Sequence, residues 1–223
     1  MKLISRRASI PAIGFGTWQD KDAQEQAVTH ALNAGYRHID TARIYGTEPA
    51  VGAAIKKSGI PRSEIFLVTK LWNNSHHPED VEAALDASLK DLDTDYVDLY
   101  LMHWPSPFAR GPKLMEKGED GKIKTGDTDY IDTYKAMEKC FKSGKAKAIG
   151  ISNFSKAEVQ RLLDNTSVVR WSSSVMAGHG ARLIATSGPC CASVRMSPIS
   201  PTARVLRLAQ VQGYPRNTVQ PLR

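Results

Sequence analysis

Asp40, Tyr45, Lys70 and His103 are side chains of the types that, brought together, transfer a proton to an oxygen gaining negative charge. A phenol has an ordinary pKa near 10, so it is a sluggish acid at neutral pH unless its ionised form is stabilised. Lys70 would supply a stabilising cation, and Asp40 would keep that ammonium charged and oriented. His103 would donate a hydrogen bond to a carbonyl oxygen, orienting it and stabilising the alkoxide that forms. None of the four can reduce anything, so a separate hydride donor is required. Each also has an ordinary alternative: Asp40 capping a turn, Tyr45 packing, Lys70 as a surface cation, His103 as a structural histidine.

What favours the chemical reading is where the chain puts them. From Ile10 to about Asn165 short β-branched runs alternate with stretches of helical period, the pattern of repeated βα units and a parallel sheet. Strands are expected at Ala12 to Gly16, Arg37 to Thr41, Ile65 to Lys70, Val97 to His103 and Ala146 to Ser152. None alternates cleanly, as expected for strands covered on both faces. In such folds the chemistry collects at the carboxyl ends of the strands. There the sequence reads HIDTA, VTKLW, LMHWP and GISNF, delivering Asp40, Lys70 with Trp72, His103 with Trp104, and Ser152 with Asn153. Polar residues punctuating consecutive strand ends are poorly explained by core packing.

The helices between carry start and stop signals. Asp22 with Glu25 and Ser155 with Glu158 match capping boxes, and Pro78 is expected in a first helical turn ahead of Glu79 and Asp80. Gly35, Gly59 and Gly144 are expected to stop helices in the left-handed conformation. The stretch Pro105 to Thr128 is long for a connection and rich in Gly, Pro and charge, which suits a lid or binding loop.

Composition divides the 223 residues near Val169. The net charge is +7, yet residues 1–169 hold 23 basic and 23 acidic residues, whereas residues 170–223 hold seven arginines, no lysine and no acid. The tail lacks the clustered basic patch that phosphate binding needs, so no nucleic-acid partner is expected. Cys140, Cys190 and Cys191 make no disulfide framework or C-x-x-C pair, which suits a reducing setting. Neither a run of eighteen apolar residues nor a signal-peptide core occurs, so the chain reads as soluble and cytoplasmic, with no membrane partner.

GFGTW at 14–18, HIDTA followed by Tyr45, VTKLW, DLYLMHWP and GISNF, in this order and spacing, resemble the aldo-keto reductase family over about residues 3–169. The resemblance implies an α/β fold of the (β/α)8 TIM-barrel type and NADPH-dependent reduction of aldehydes or ketones to alcohols. It implies Tyr45 as proton donor, Lys70 and Asp40 as its tuners, and His103 orienting the carbonyl. Cofactor contacts fall on Gly16, Thr17, Asp40, Ser152 and Asn153. Trp18, Trp72 and Trp104, with His103, form the implied substrate pocket. The stretch from Met102 to Lys139 further resembles the fungal glycerol 2-dehydrogenases of this family, implying small aldehydes, ketones and polyols such as glycerol as substrates.

A Rossmann-type dehydrogenase is excluded, because Gly14 and Gly16 are followed at the sixth position by Gln19 rather than glycine. His76 and His77 are adjacent rather than at metal-ligand spacing, so they read as a solvated turn and no metal is expected. About five of the eight barrel units are recognisable, and residues 170–223 read as an unrelated tail, disordered or out of frame, with Ala203 to Gln210 as its one helical stretch. That organisation predicts a truncated relative whose first and fifth strands lack outer partners, and whose cofactor binding is weak or absent.

Overall fold

The structure, a computed structural model, describes residues 10–18 and 22–166 together with the backbone of 171–172. Cys190, Cys191 and the expected helix at Ala203 to Gln210 lie outside the described residues. The described chain alternates strand and helix: β1 (Phe15–Gly16), α1 (Gln24–Asn33), β2 (His38–Asp40), α2 (Glu48–Lys57), β3 (Phe66–Leu71) and α3 (Val81–Asp91). It continues with β4 (Leu99–Met102), α4 (Tyr130–Lys142), β5 (Ile149–Ile151), α5 (Lys156–Asn165) and β6 (Trp171–Ser172). A 3₁₀ turn, Arg43–Tyr45, stands between β2 and α2.

The six strands form one parallel sheet in the order of the chain, the arrangement of a partial (β/α)8 barrel. Register runs Gly16 opposite Asp40, Asp40 opposite Val68, Lys70 opposite Leu101 and Leu101 opposite Gly150. Because side chains alternate along a strand, Val68 and Lys70 share one face, and so do Leu99 and Leu101. That face holds a small apolar cluster of Val68, Leu99, Leu101 and Ala148, with Phe66 packed against it. The opposite face meets the helices in a larger cluster that includes Val28, Ile39, Leu67, Leu85, Met102 and Met137. Two apolar faces on one sheet explain why no strand alternates polar with apolar.

The stop signals perform as expected. Gly35, Gly59 and Gly144 take φ of +93°, +66° and +84° immediately after helix-terminal residues Ala34, Ser58 and Ser143. Ser155 and Glu158 form a complete capping box at α5. Two start signals are displaced. No side-chain cap bond forms at α1, which begins at Gln24 after Ala23, so Asp22 lies one residue too early to cap it. Pro78 stands in a turn three residues before α3, where Asp80 is the boundary residue.

One expectation about the sheet edge is corrected. β5 is not an outer strand: Gly150 and Ile151 pair in parallel with Trp171 and Ser172. The sequence RWSSS has no apolar run to announce a strand, and β6 is only two residues long. Among the described residues, β1 is paired on one side alone, with β2.

Candidate active site

The carboxyl ends of β2, β3 and β4 bring the four candidate residues together. Tyr45 ends the 3₁₀ turn, with its amide bonded to the Ala42 carbonyl at 3.0 Å, and Gly46 follows at φ +67°. A side chain at Gly46 would be strained in this left-handed conformation, so glycine lets the chain reverse directly behind Tyr45. Lys70, near the end of β3, is 4% exposed. Its ammonium has three protons to place. They go to Asp40 Oδ1 at 2.5 Å, the Thr41 carbonyl at 2.9 Å and the Tyr45 hydroxyl at 3.4 Å. A buried cation is tolerated only with such partners. Since Lys70 donates into the Tyr45 oxygen, the Tyr45 hydroxyl keeps its own proton for another acceptor.

His103 follows β4 and is 7% exposed, its amide bonded to the Leu71 carbonyl. Burial, together with the positive charge of Lys70, pushes its pKa down to about 3. At neutral pH the ring is therefore uncharged and carries one N–H: a hydrogen-bond donor, and a poor acid. Its Nδ1 is buried with no hydrogen-bond partner among the described residues. The His103 and Tyr45 rings meet edge to face with centroids 5.7 Å apart.

Aromatic side chains wall this pair. Trp18 lies 4.9 Å from Tyr45, Trp72 lies 5.2 Å from His103, and Trp104 stacks on His103 at 6.5 Å. Trp18 and Trp104 are 55% and 42% exposed, large apolar surfaces beside a polar centre, as a substrate pocket presents. The Pro105 to Thr128 loop is strapped to this wall: Trp72 Nε1 donates to the Leu114 carbonyl at 2.7 Å and Asn74 Nδ2 to the Gly111 carbonyl at 2.9 Å. Arg110 grips Asp80 through Nε and Nη2 at 2.5 and 2.7 Å.

The candidate cofactor residues flank the same rim. A side chain at Gly16 would project into open space, so the backbone there is accessible to a ligand. Thr17 donates its amide to the Asp40 carbonyl at 3.0 Å, and its hydroxyl lies 3.3 Å from that of Thr47. Ser152 is buried at the end of β5, its amide bonded to the Met102 carbonyl at 2.9 Å. Asn153 sits in the left-handed region at φ +62° and donates Nδ2 to the His103 carbonyl at 2.9 Å.

The solvated-turn expectation needs correction at His76, though not at His77, whose side chain is 40% exposed. His76 is 1% exposed rather than solvated, and burial lowers its pKa to about 4. Its carbonyl accepts from the Thr133 hydroxyl at 2.7 Å, which pins the turn against α4. Among the described residues no three His, Cys, Asp or Glu side chains gather as a metal site, and no helix is long and apolar enough to cross a membrane. Sequence reasoning also missed Glu48 and Thr47, both buried just after Tyr45 in the chain. An acid beside Pro49 at the start of a helix reads as an ordinary helix-terminal charge, and only its burial marks it out.

Residues 12–180 match the Aldo/keto reductase family. The chain belongs to that family. Over 165 residues it is 51% identical to Aldo-keto reductase family 1 member A1 of Xenopus tropicalis, an alignment covering 71% of this chain and 50% of the relative. The human member A1 is 45% identical over 172 residues, covering 74% and 53%. An uncharacterised oxidoreductase of Schizosaccharomyces pombe is 46% identical over 157 residues, covering 70% and 49%. The chain thus spans about half the length of the curated relatives it matches. Among solved structures it superposes on the aldose reductase from Schistosoma japonicum with a TM-score of 0.71 and 38% identity, covering 73% of this chain and 56% of that one.

Proposed function

We propose that the chain carries the proton-transfer centre of an NADPH-dependent reductase of small aldehydes and ketones, running in reverse as the oxidation of polyols such as glycerol. One observation supports this most: a buried Lys70 ammonium joins Asp40 to the Tyr45 hydroxyl, beside a neutral His103.

Bound NADPH would supply the hydride. Gly16, Thr17, Asp40, Ser152 and Asn153 would hold its nicotinamide half, and the open space at Gly16 and the rim position of Asn153 fit that placement. His103 would donate its single N–H to the carbonyl oxygen and orient it between Trp18, Trp72 and Trp104. Tyr45 would then pass its hydroxyl proton to that oxygen as negative charge builds there. Lys70 would stabilise the phenolate left behind, with Asp40 holding the ammonium in place.

A second reading rests on span. The described residues supply five βα units and one further strand, and the groups that would hold the adenosine end of the cofactor are not recognisable in residues 170–223. On this reading the chain is a non-catalytic relative, with an aldo/keto reductase part at 1–169 and an independent tail. Fluorescence titration separates the two: NADPH binding at micromolar concentration or tighter contradicts the second reading.

The catalytic reading is tested by following NADPH absorbance with glyceraldehyde at millimolar cofactor. Tyr45→Phe should lower turnover by about a thousandfold while leaving NADPH affinity unchanged. Equal rates in the two proteins would remove Tyr45 from the chemistry.

A further inference from the structure

Three residues after Tyr45 the chain buries an acid that the proton-transfer scheme does not use. Glu48 opens α2 three residues after Tyr45 and is 1% exposed. Its Oε1 accepts from the Thr69 hydroxyl at 2.6 Å, and its Oε2 from the Ser88 hydroxyl at 3.2 Å and Arg43 Nη1 at 3.3 Å. These partners come from three separate elements. Thr69 is the neighbour of Lys70 on β3, Ser88 belongs to α3, and Arg43 begins the 3₁₀ turn that ends in Tyr45. Arg43 in turn pairs with Asp91 at the end of α3.

Burying a carboxylate is costly, and an apolar residue of similar volume often serves stability as well. An acid held here by three partners from separate elements therefore points to geometry. The contact it would protect is marginal: Lys70 Nζ and the Tyr45 hydroxyl are 3.4 Å apart, at the outer limit of a hydrogen bond. A shift of the turn by half an ångström away from β3 would open it. Glu48 holds the turn through Arg43 at one end and, at the other, holds β3 through Thr69, on the sheet face opposite the Lys70 side chain. The Thr47 hydroxyl, 3.3 Å from those of Thr17 and Thr41, steadies the same turn toward β1 and β2.

We propose that Glu48 is a positioning residue for proton transfer: it touches neither substrate nor cofactor and sets the distance between the Tyr45 hydroxyl and the Lys70 ammonium. This rests on the reductase reading above, and the test has an arm independent of turnover. The experiment compares the full chain with Glu48→Gln and Glu48→Ala, measuring kcat and KM for glyceraldehyde at millimolar NADPH and the thermal midpoint. It also measures nuclear Overhauser contacts between the Lys70 ε-methylene and the Tyr45 ring, where the ammonium now lies 5.0 Å from the ring centroid.

The expected result is a tenfold or greater fall in kcat for Glu48→Ala with KM changed less than threefold, a smaller fall for Glu48→Gln, and weakened Lys70–Tyr45 contacts in both. A lowered midpoint with kcat per folded molecule and the Lys70–Tyr45 contacts unchanged would overturn the proposal, leaving Glu48 a structural residue. Should the parent chain prove inactive, the reductase reading fails alone: the magnetic resonance contacts still decide for or against Glu48. Should Glu48→Ala not fold, Glu48→Gln carries the same comparison.

Discussion

At the end of the rim formed by β2 to β4, the polar groups are joined side chain to side chain: Lys70 reaches Asp40, the Thr41 carbonyl and Tyr45, and Tyr45 meets the His103 ring. At β5 the candidate cofactor groups are held differently. Ser152 is tied to the rim by its backbone amide, which donates to the Met102 carbonyl, and Asn153 by its side-chain Nδ2, which donates to the His103 carbonyl. The first region is a preorganised unit, in which moving one member disturbs the charge balance of the rest. The second is a platform whose ties end on main-chain carbonyls, so no charged partner is stranded when one of its side chains is changed. On the proposed reading, changes at Ser152 and Asn153 are therefore separable from proton transfer, whereas Asp40 belongs to both tasks.

Lys70→Met is the severest way to break that separation. It strands Asp40, whose side chain is one quarter exposed, without its cation, so stability should fall by about 1–3 kcal/mol in urea unfolding. Activity should fall by about a thousandfold per folded molecule. A loss confined to cofactor affinity would place Lys70 with the β5 platform instead.

The buried histidines give a pH-dependent contrast. Unfolded His76 takes a proton near its ordinary 6.5, whereas folded His76 resists protonation down to about 4. The unfolded state thus binds more protons as pH falls from 6.5 to 4, and stability is lost across that window by up to about 3 kcal/mol. His76→Leu should flatten this slope in urea midpoints measured from pH 7 to pH 4 while sparing turnover at pH 7. His103, lowered to about 3, contributes a loss of the same sign, but replacing it should also remove activity. An unchanged acid slope in His76→Leu would show that this histidine is accessible to protons in the folded state.

Asn153 marks the mild end of the scale. A β-carbon without an amide at φ +62° is strained, so Asn153→Ala should cost about 1–2 kcal/mol. It should also weaken NADPH binding several-fold in a fluorescence titration, with kcat at saturating cofactor nearly unchanged. A fall in kcat as large as that of Lys70→Met would join the two regions into one unit.

Much of this was legible in the sequence because strand ends are local. HIDTA, VTKLW, LMHWP and GISNF place their polar residues at the rim as soon as the βα rhythm is recognised, and glycines at 35, 59 and 144 end helices by backbone conformation alone. What escaped depends on contacts between distant segments. Glu48 looks like a helix-terminal charge until Thr69 and Ser88 close over it. His76 looks solvated until Thr133, 57 residues away, reaches its carbonyl. β6 is defined by its pairing with β5 and has no hydrophobic pattern of its own.

The claim at the centre is that Lys70 acts on the Tyr45 phenol within a single proton-transfer unit. A double-mutant cycle of Tyr45→Phe, Lys70→Met and the combined variant tests it, with single-turnover NADPH oxidation corrected for the folded fraction. The account predicts that the combined variant is no slower than the worse single variant, because both changes remove the same step. Losses that multiply in the combined variant would contradict it, and would assign the two residues to independent tasks.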